Sequence, residues 1–377
     1  MNKRGAWNFF FNLLRIKPQG NCYSKLSSIS VKDIMIKEVL CCQRTERLIE
    51  AAHLMIGGHA SCLVVMDGDK PAGIITERDF VKKLPMEKDH SSEVIVNDFM
   101  TKKIFSVDHH ANLIEAQKIM REHSFRKLLV IENEELKGII TQTDLCWAVE
   151  DIKADYHNTP IVRNIMSRKV LTVAEDDKFL KVKKLMSAKD IGSVLIVVND
   201  ELKGMFTEFD MVSEFFLNPN RLRNSYMKDL MTAPVVCITP DFDVFQINNI
   251  MLQHNFRRLP VLENHKLAGI ITQTDVARAM YEFIEKNKDA ACDKTKQSKE
   301  PIFCVKKAGN IILYQKKKEE SQKKEEQKKK EKEEAKEQPK EQIKQVEPEK
   351  RVKSRPAPRK KRISNKRTAK KTKKKKK

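Results

Sequence analysis

A threonine followed three residues later by an aspartate recurs four times: Thr76 and Asp79, Thr141 and Asp144, Thr207 and Asp210, Thr272 and Asp275. Each pair follows a glycine and two apolar residues. Two chemistries fit the pattern. At the start of a helix it is a capping box, in which the hydroxyl caps a backbone N–H and the acid reaches back; such a cap contributes about 1 kcal/mol and needs no ligand. The same strand-to-helix junction also exposes backbone N–H groups at the positive end of a helix dipole, which suits phosphate. The hydroxyl can then bond phosphate or sugar, and the carboxylate can accept both hydroxyls of a ribose diol. Arg126-Lys127 and Arg257-Arg258, each just before an apolar run, would add charge for the phosphate; their plain alternative is a solvated turn. One copy of the pattern favours the cap. Four copies, with basic pairs only beside the second and fourth, favour a site.

The elements that must hold these residues repeat as well. The leading glycines Gly73, Gly138, Gly204 and Gly269 step by 65, 66 and 65 residues. A second marker, Asp or Asn, an apolar residue and Met, ends at Met35, Met100, Met166 and Met231 with the same steps. Methionine and glycine are 38 residues apart in every copy. Equal internal spacing predicts four copies of one supersecondary unit. Units two and four share Gly-Ile-Ile-Thr-Gln-Thr-Asp at Gly138–Asp144 and Gly269–Asp275, and His123–Leu128 matches His254–Leu259 at the same shift of 131. Units one and three carry small residues at Ser61-Cys62 and Gly192-Ser193 instead of the basic pair, and Thr-Glu (Thr76-Glu77, Thr207-Glu208) instead of Thr-Gln. The chain reads as two modules of two.

Periodicity predicts β-α-β-β-α within a unit. In unit two, residues 103–107 form a β-like run, and Asn112–Glu122 places Leu113, Ala116, Ile119 and Met120 at helical spacing. Strands are expected at Leu128–Ile131 and Leu136–Ile140, around a turn at Glu132–Glu135, with a helix from Thr141 to about Val149. Unit four fits the same template at Val235–Ile238, Val244–Gln253, Leu259–Leu262, Leu267–Ile271 and Thr272–Phe283. One such unit is too small to bury a sufficient core, so pairing is expected.

Of the net charge of +22, eighteen lie in residues 315–377, which hold 29 Lys and Arg against 11 Glu. The repeats are close to neutral. Residues 316–345 mix Lys and Glu, compatible with an exposed helix. Residues 350–377 contain no acid and should be disordered. The apolar runs fall short of the roughly 18 residues of a membrane span. The N-terminal Trp7–Leu14 is short, broken by Asn and lacks a small-residue cleavage site, so it is read as an arm. The eight cysteines show no metal or disulfide spacing and suggest a reduced compartment. No nucleophile elbow, phosphate-binding loop or zinc-protease motif appears, so an enzyme is not expected.

On the β-α-β-β-α order, the four Gly-h-h-Thr-x-x-Asp motifs and leading segments such as Met231–Ile238, the sequence resembles the CBS-domain family, named for cystathionine β-synthase, over about Ser30 to Glu285. The resemblance implies an α/β (α+β) fold of four CBS repeats packed as two Bateman modules. Expected boundaries are an arm at 1–29, repeats at 30–85, 94–150, 160–217 and 225–285, a linker at 286–314, and the charged tail at 315–377. It further implies clefts for adenosyl ligands such as AMP, ADP, ATP or S-adenosylmethionine. By the resemblance the four aspartates hold ribose hydroxyls, the four threonines hold phosphate or sugar oxygens, and the first-strand residues Phe105, Ser106, Val236 and Cys237 line the adenine pocket. Leu-Pro-Val, usual in the family's central strand, survives only at Leu259-Pro260-Val261. One or two occupied sites are expected, Asp144 and Asp275 first, with no obligatory cofactor and no metal. The expected partners are the ligand and either a second chain or the other module in a four-repeat disc. The expected location is cytoplasmic, or nuclear in a eukaryotic host, where Arg359–Arg362 would act as an import signal. The alternative function is nucleic-acid or acidic-surface binding through residues 350–377, with the repeats as scaffold.

Overall fold

The computed structural model describes residues 22–84, 93–152, 158–289, 303–308 and 311–316. Each repeat opens with a single helical turn (Val31–Ile34, Val96–Phe99, Val162–Ile165, Met227–Leu230), which the periodicity did not predict. A short first strand follows: Cys41–Gln43, Ser106–Val107, Thr172–Val173, Val235–Ile238. The β-like run of unit two is thus a strand only at its last two residues. Next come a helix (Leu48–Gly57, Leu113–Glu122, Phe179–Ala188, Val244–His254) and the central strand (Cys62–Asp67, Lys127–Glu132, Ser193–Val198, Arg258–Glu263). A third strand (Lys70–Thr76, Glu135–Thr141, Glu201–Thr207, Lys266–Thr272) leads into the second helix (Glu77–Lys83, Gln142–Ile152, Glu208–Leu217, Gln273–Lys286).

The first strand is parallel to the central strand and the third antiparallel to it. The tight central-to-third turns carry two left-handed residues, Asn133-Glu134, Asn199-Asp200 and Asn264-His265. That geometry matches the twist of a two-residue hairpin, and Asn tolerates it.

The markers read from sequence now have a cause. The segment after each lead helix bridges the third strand of the neighbouring repeat: Ile36 with Ile139, Thr101 with Ile74, Ser167 with Ile270, Thr232 with Met205. The marker methionine therefore lies on the neighbour's glycine. A β-carbon on Gly73, Gly138 or Gly269 would come within 2.6–2.8 Å of the sulfur of Met100, Met35 or Met166, and Met231 covers Gly204 the same way. These glycines serve repeat-to-repeat packing.

Four cores close the repeats into a ring. Sheets of repeats 1 and 2 share Val64, Leu129 and Ile139; those of repeats 3 and 4 share Leu195, Cys237 and Leu262. Helices of repeats 1 and 3 share Leu48, Phe80, Met211 and Phe215, and those of repeats 2 and 4 share Leu113, Leu145, Ile247 and Met280. Of the two arrangements expected, the four-repeat one is present within a single chain.

Two expected boundaries differ. The segment read as an arm ends in a helix, Cys22–Ser28, whose Cys22 and Leu26 are buried in the core of repeats 2 and 4. Within residues 286–316, read as linker and the start of the tail, Phe303–Ala308 and Ile311–Lys316 form a hairpin that joins the sheet of repeat 4 in the order third, central, first, then the two hairpin strands. Sequence spacing missed both because neither belongs to the repeat period. The ring and hairpin lie in one compact unit, Met1–Lys318; Glu319–Lys377 form a second. That second unit, with the helical and disordered stretches expected of it, lies outside the described residues, as does most of the N-terminal arm. Among the described residues no helix is long and apolar enough to cross a membrane.

Candidate functional site

All four Thr–Asp pairs are built capping boxes. Each Thr backbone N–H and hydroxyl donates to one oxygen of its Asp: the hydroxyl distances are 2.7 Å at Thr76, Thr141 and Thr207, and 2.6 Å at Thr272. Asp144, Asp210 and Asp275 return a backbone N–H to the Thr oxygen at 3.3–3.4 Å. The plain reading of the motif is therefore fulfilled, and any ligand role falls on the second carboxylate oxygen.

That second oxygen differs between repeats. Asp79 Oδ1 accepts from Thr101 and pairs with Lys83, both at 2.8 Å. Asp210 Oδ1 accepts from Thr232 at 3.3 Å; burial raises this carboxyl above its ordinary range despite the bonds from Thr207 and Thr232. Asp275 Oδ1 meets Arg278, a side chain 52% exposed, at 2.9 Å. Asp144 is buried. Because lead segments cross over, each Thr–Asp junction is flanked by two repeats. Thr101, which leads to Phe105 and Ser106, touches Asp79; Thr232, which leads to Val236 and Cys237, touches Asp210. The first-strand residues named from sequence thus follow the segments that touch Asp79 and Asp210. Asp144 and Asp275 are flanked instead by the lead segments of repeats 1 and 3, which bridge Ile139 and Ile270.

Their side chains also differ from the expected lining. Cys237 is fully buried in the sheet core, and burial pushes its thiol up to about 12. Ser106 is exposed. Phe105 packs on Phe125 at 4.1 Å and His123 at 5.2 Å, under the ammonium of Lys103. Val236 sits in a strand whose outer edge the hairpin occupies.

The basic pairs are not solvated turns. Arg257 pairs with Glu77 at 2.7 Å, joining repeats 4 and 1. Arg126 meets Glu208 at 3.4 Å, joining repeats 2 and 3. Lys127 donates to the carbonyl and hydroxyl of Ser61, and Arg258 donates to the carbonyl of Gly192. Each contact recurs under the shift of 131. The remaining helix starts are joined by Thr143 to Gln273 and Thr274 to Gln142. The first turns of the second helices thus bond in two pairs, repeats 2 and 4 through these groups and repeats 1 and 3 through Arg78 and Glu208, with Arg126 and Arg257 tying one pair to the other. Glu208, whose side chain is 1% exposed, also takes Arg78 at 2.8 Å and Arg258 at 3.8 Å. Burial alone would raise its carboxyl, but Arg126, Arg78 and Arg258 hold it below the usual range. Burial pushes Arg258 down to about 10.

Sequence reasoning missed Glu77, Glu208, Arg78, Thr101 and Thr232. The signal for the first two was present. Thr-Glu stands only in the units without a basic pair, and charge complementarity between units would have joined the two observations. The structure also brings His109, His110 and Glu132 within 4.8 Å of one another. The Lys32 ammonium lies 3.5 Å from His110 Nδ1, so a positive charge already stands beside the cluster.

The sequence model of the CBS domain matches at residues 31–85, 96–151, 162–216 and 227–282. An uncharacterized protein, MJ1225 of Methanocaldococcus jannaschii, is 29% identical over 218 residues, spanning 54% of this chain and 76% of its own length. Hypoxic response protein 1 of Mycobacterium tuberculosis is 31% identical over 124 residues, 32% of this chain and 85% of its own. The crystal structure of MJ1225 superposes with a TM-score of 0.62 at 19% identity, over 67% of this chain and all of that one.

Proposed function

The chain belongs to the CBS-domain family, and from that premise we propose that its four-repeat ring is a non-catalytic sensor for an adenosyl ligand: AMP, ADP, ATP or S-adenosylmethionine. The observation that carries this reading is the charge at the centre. Five cations stand together there: Arg78, Arg126, Arg257 and Arg258 meet three carboxylates, Glu77, Glu208 and Asp190, while Lys127 bonds the neutral Ser61. Partly buried cations in excess of their partners are costly, and an anion that joins them offsets that cost. They stand beside helix starts whose N–H groups and dipoles favour the same anion. This supports phosphate directed to the centre and ribose held by an Asp at the rim of a cleft. It favours the nucleotides over S-adenosylmethionine, which carries no phosphate.

Asp144 and Asp275 remain the first candidates. The carboxylates of Asp79 and Asp210 are engaged by threonines of the adjoining repeat, whereas Arg278 on Asp275 is half exposed and easily turned aside. Signalling is by linkage: a ligand that bridges two repeats favours one relative orientation, and whatever reads that orientation responds. The test is thermal unfolding of the full chain with AMP, ADP, ATP, S-adenosylmethionine and GTP, beside Asp144→Ala and Asp275→Ala. A ligand at a hundredfold its dissociation constant stabilises by about 2.7 kcal/mol. An adenosyl-specific rise in midpoint that either variant abolishes is expected. Equal midpoints under all five compounds would leave the Thr–Asp pairs as caps alone.

A second reading attaches to the tail, which holds most of the chain's positive charge. Residues 350–377 would bind nucleic acid or another acidic surface without sequence preference, through counterion release.

A further inference from the structure

The hairpin Phe303–Ala308 and Ile311–Lys316 supplies, among the described residues, the only strands without a counterpart in the other repeats. Its second strand runs parallel to the first strand of repeat 4, with Val235 opposite Ile311, Val236 opposite Ile312, Cys237 opposite Leu313 and Ile238 opposite Tyr314. Repeat 4 is built to receive it. On its inner side that first strand meets the central strand at a single pair, Ile238 with Val261, next to Pro260, which has no N–H to give. Repeat 1 has three such pairs. The first strand of repeat 4 therefore owes its length to the hairpin. Leu313 is buried in the core that repeats 3 and 4 share.

The aromatic packing makes the same point. Tyr314 lies 5.9 Å from the ring of His254, with its hydroxyl 3.5 Å from Nε2, and His254 stacks on Phe256. Repeat 2 has the same pair in His123 and Phe125, but there the covering ring is Phe105, from the approach to its own first strand. The position 131 residues after Phe105 is Val236. Repeat 4 takes from the hairpin the ring that repeat 2 supplies from within.

The hairpin also reaches the wall of a cleft. The strand it pairs with begins three residues after Thr232, whose hydroxyl holds Asp210. A ribose diol on Asp210 competes with Thr232 for the second carboxylate oxygen, and Thr232, itself bridged to Met205, runs directly into the ladder along Val235–Ile238. We propose that the hairpin is a latch on the Asp210 cleft. Docked, it favours Thr232 on Asp210 and keeps ligand out; a ligand that takes Asp210 displaces it. This rests on the reading of the Thr–Asp clefts as ligand sites. Linkage makes the effect reciprocal: the factor by which docking weakens the ligand is the factor by which the ligand weakens docking.

Two measurements on the full chain test it, with AMP as the probe. The first is amide hydrogen exchange of residues 303–308 and 311–316 with and without saturating AMP. The second is AMP calorimetry of the unmodified chain, Tyr314→Ala and Leu313→Asp. Expected are hairpin exchange faster by about fivefold or more with AMP, and in both variants an affinity gain of the same size or one further site per chain. Asp210→Ala should remove that gain. If Leu313→Asp fails to fold, exchange in the unmodified chain and the Tyr314→Ala titration decide. AMP bound by all forms with equal number and affinity, and hairpin exchange unchanged, would overturn the latch and leave the sensor standing. No AMP bound by any form would overturn the sensor, and the latch with it.

Discussion

The sulfur of Met35 occupies the space where Gly138 would carry a side chain, and Met166 does the same to Gly269. Gly138→Ala should therefore destabilise by about 1–3 kcal/mol through overpacking, measured by urea unfolding. Combining it with Met35→Ala should recover part of the loss, because contacting residues are energetically coupled; additive losses would show that the clash is not the cause. Glu208 makes a second prediction. Its folded pKa lies below the ordinary 4.5, so its contribution to stability is full above about pH 4.5 and drains away as pH falls through the lower folded value. Glu208→Gln should unfold at lower denaturant at neutral pH, by about 1–3 kcal/mol, since it strands the largely buried Arg258 while Arg78 and Arg126 are partly solvated. It should also lose less between neutral and acid than the unmodified chain does. If the centre receives phosphate, ATP should stabilise this variant more than the original.

At the level of elements, the strand-to-helix junction has two separable duties. Thr141→Ala and Thr272→Ala remove a cap and should each cost about 1 kcal/mol, with ligand response reduced but present. Asp144→Ala and Asp275→Ala should cost a similar amount and abolish the response. Thermal scans with and without nucleotide separate the two, and a Thr variant that loses the response as fully as its Asp partner would show that the hydroxyl is the principal ligand. The helix starts in units one and three are acidic (Glu77, Glu208) and those in units two and four neutral (Gln142, Gln273). That alternation helps set which repeats face each other, because each Glu finds an Arg of the opposite module, Glu77 in Arg257 and Glu208 in Arg78 and Arg126.

For the whole molecule, the ring and the tail carry different charge and should behave independently in salt. Loss of residues 350–377 should remove polyanion binding and its steep salt dependence while leaving the nucleotide response intact. A filter-binding titration against salt, run beside the thermal scans, checks both halves. Tight, salt-sensitive RNA binding by the shortened chain would move that function to the central cations of the ring.

The period of 65 and 66 residues determined the repeat count and the β-α-β-β-α order, because hydrophobic spacing and the Gly-Thr-Asp junction are local signals carried by every unit. The same signals located the four Thr–Asp pairs and the asymmetry between odd and even repeats. Only the tertiary structure decided what that asymmetry is for. Arg257 and Glu77 stand 180 residues apart, and Met35 lies on a glycine of the next repeat rather than on the Gly73 of its own period. It also decided which lead segment flanks which aspartate, since these segments cross between repeats. The hairpin at 303–316 follows neither the period nor a motif. Its place is fixed by an open strand edge, a proline and a missing ring in repeat 4, and those become a docking surface only once the chain has folded around them.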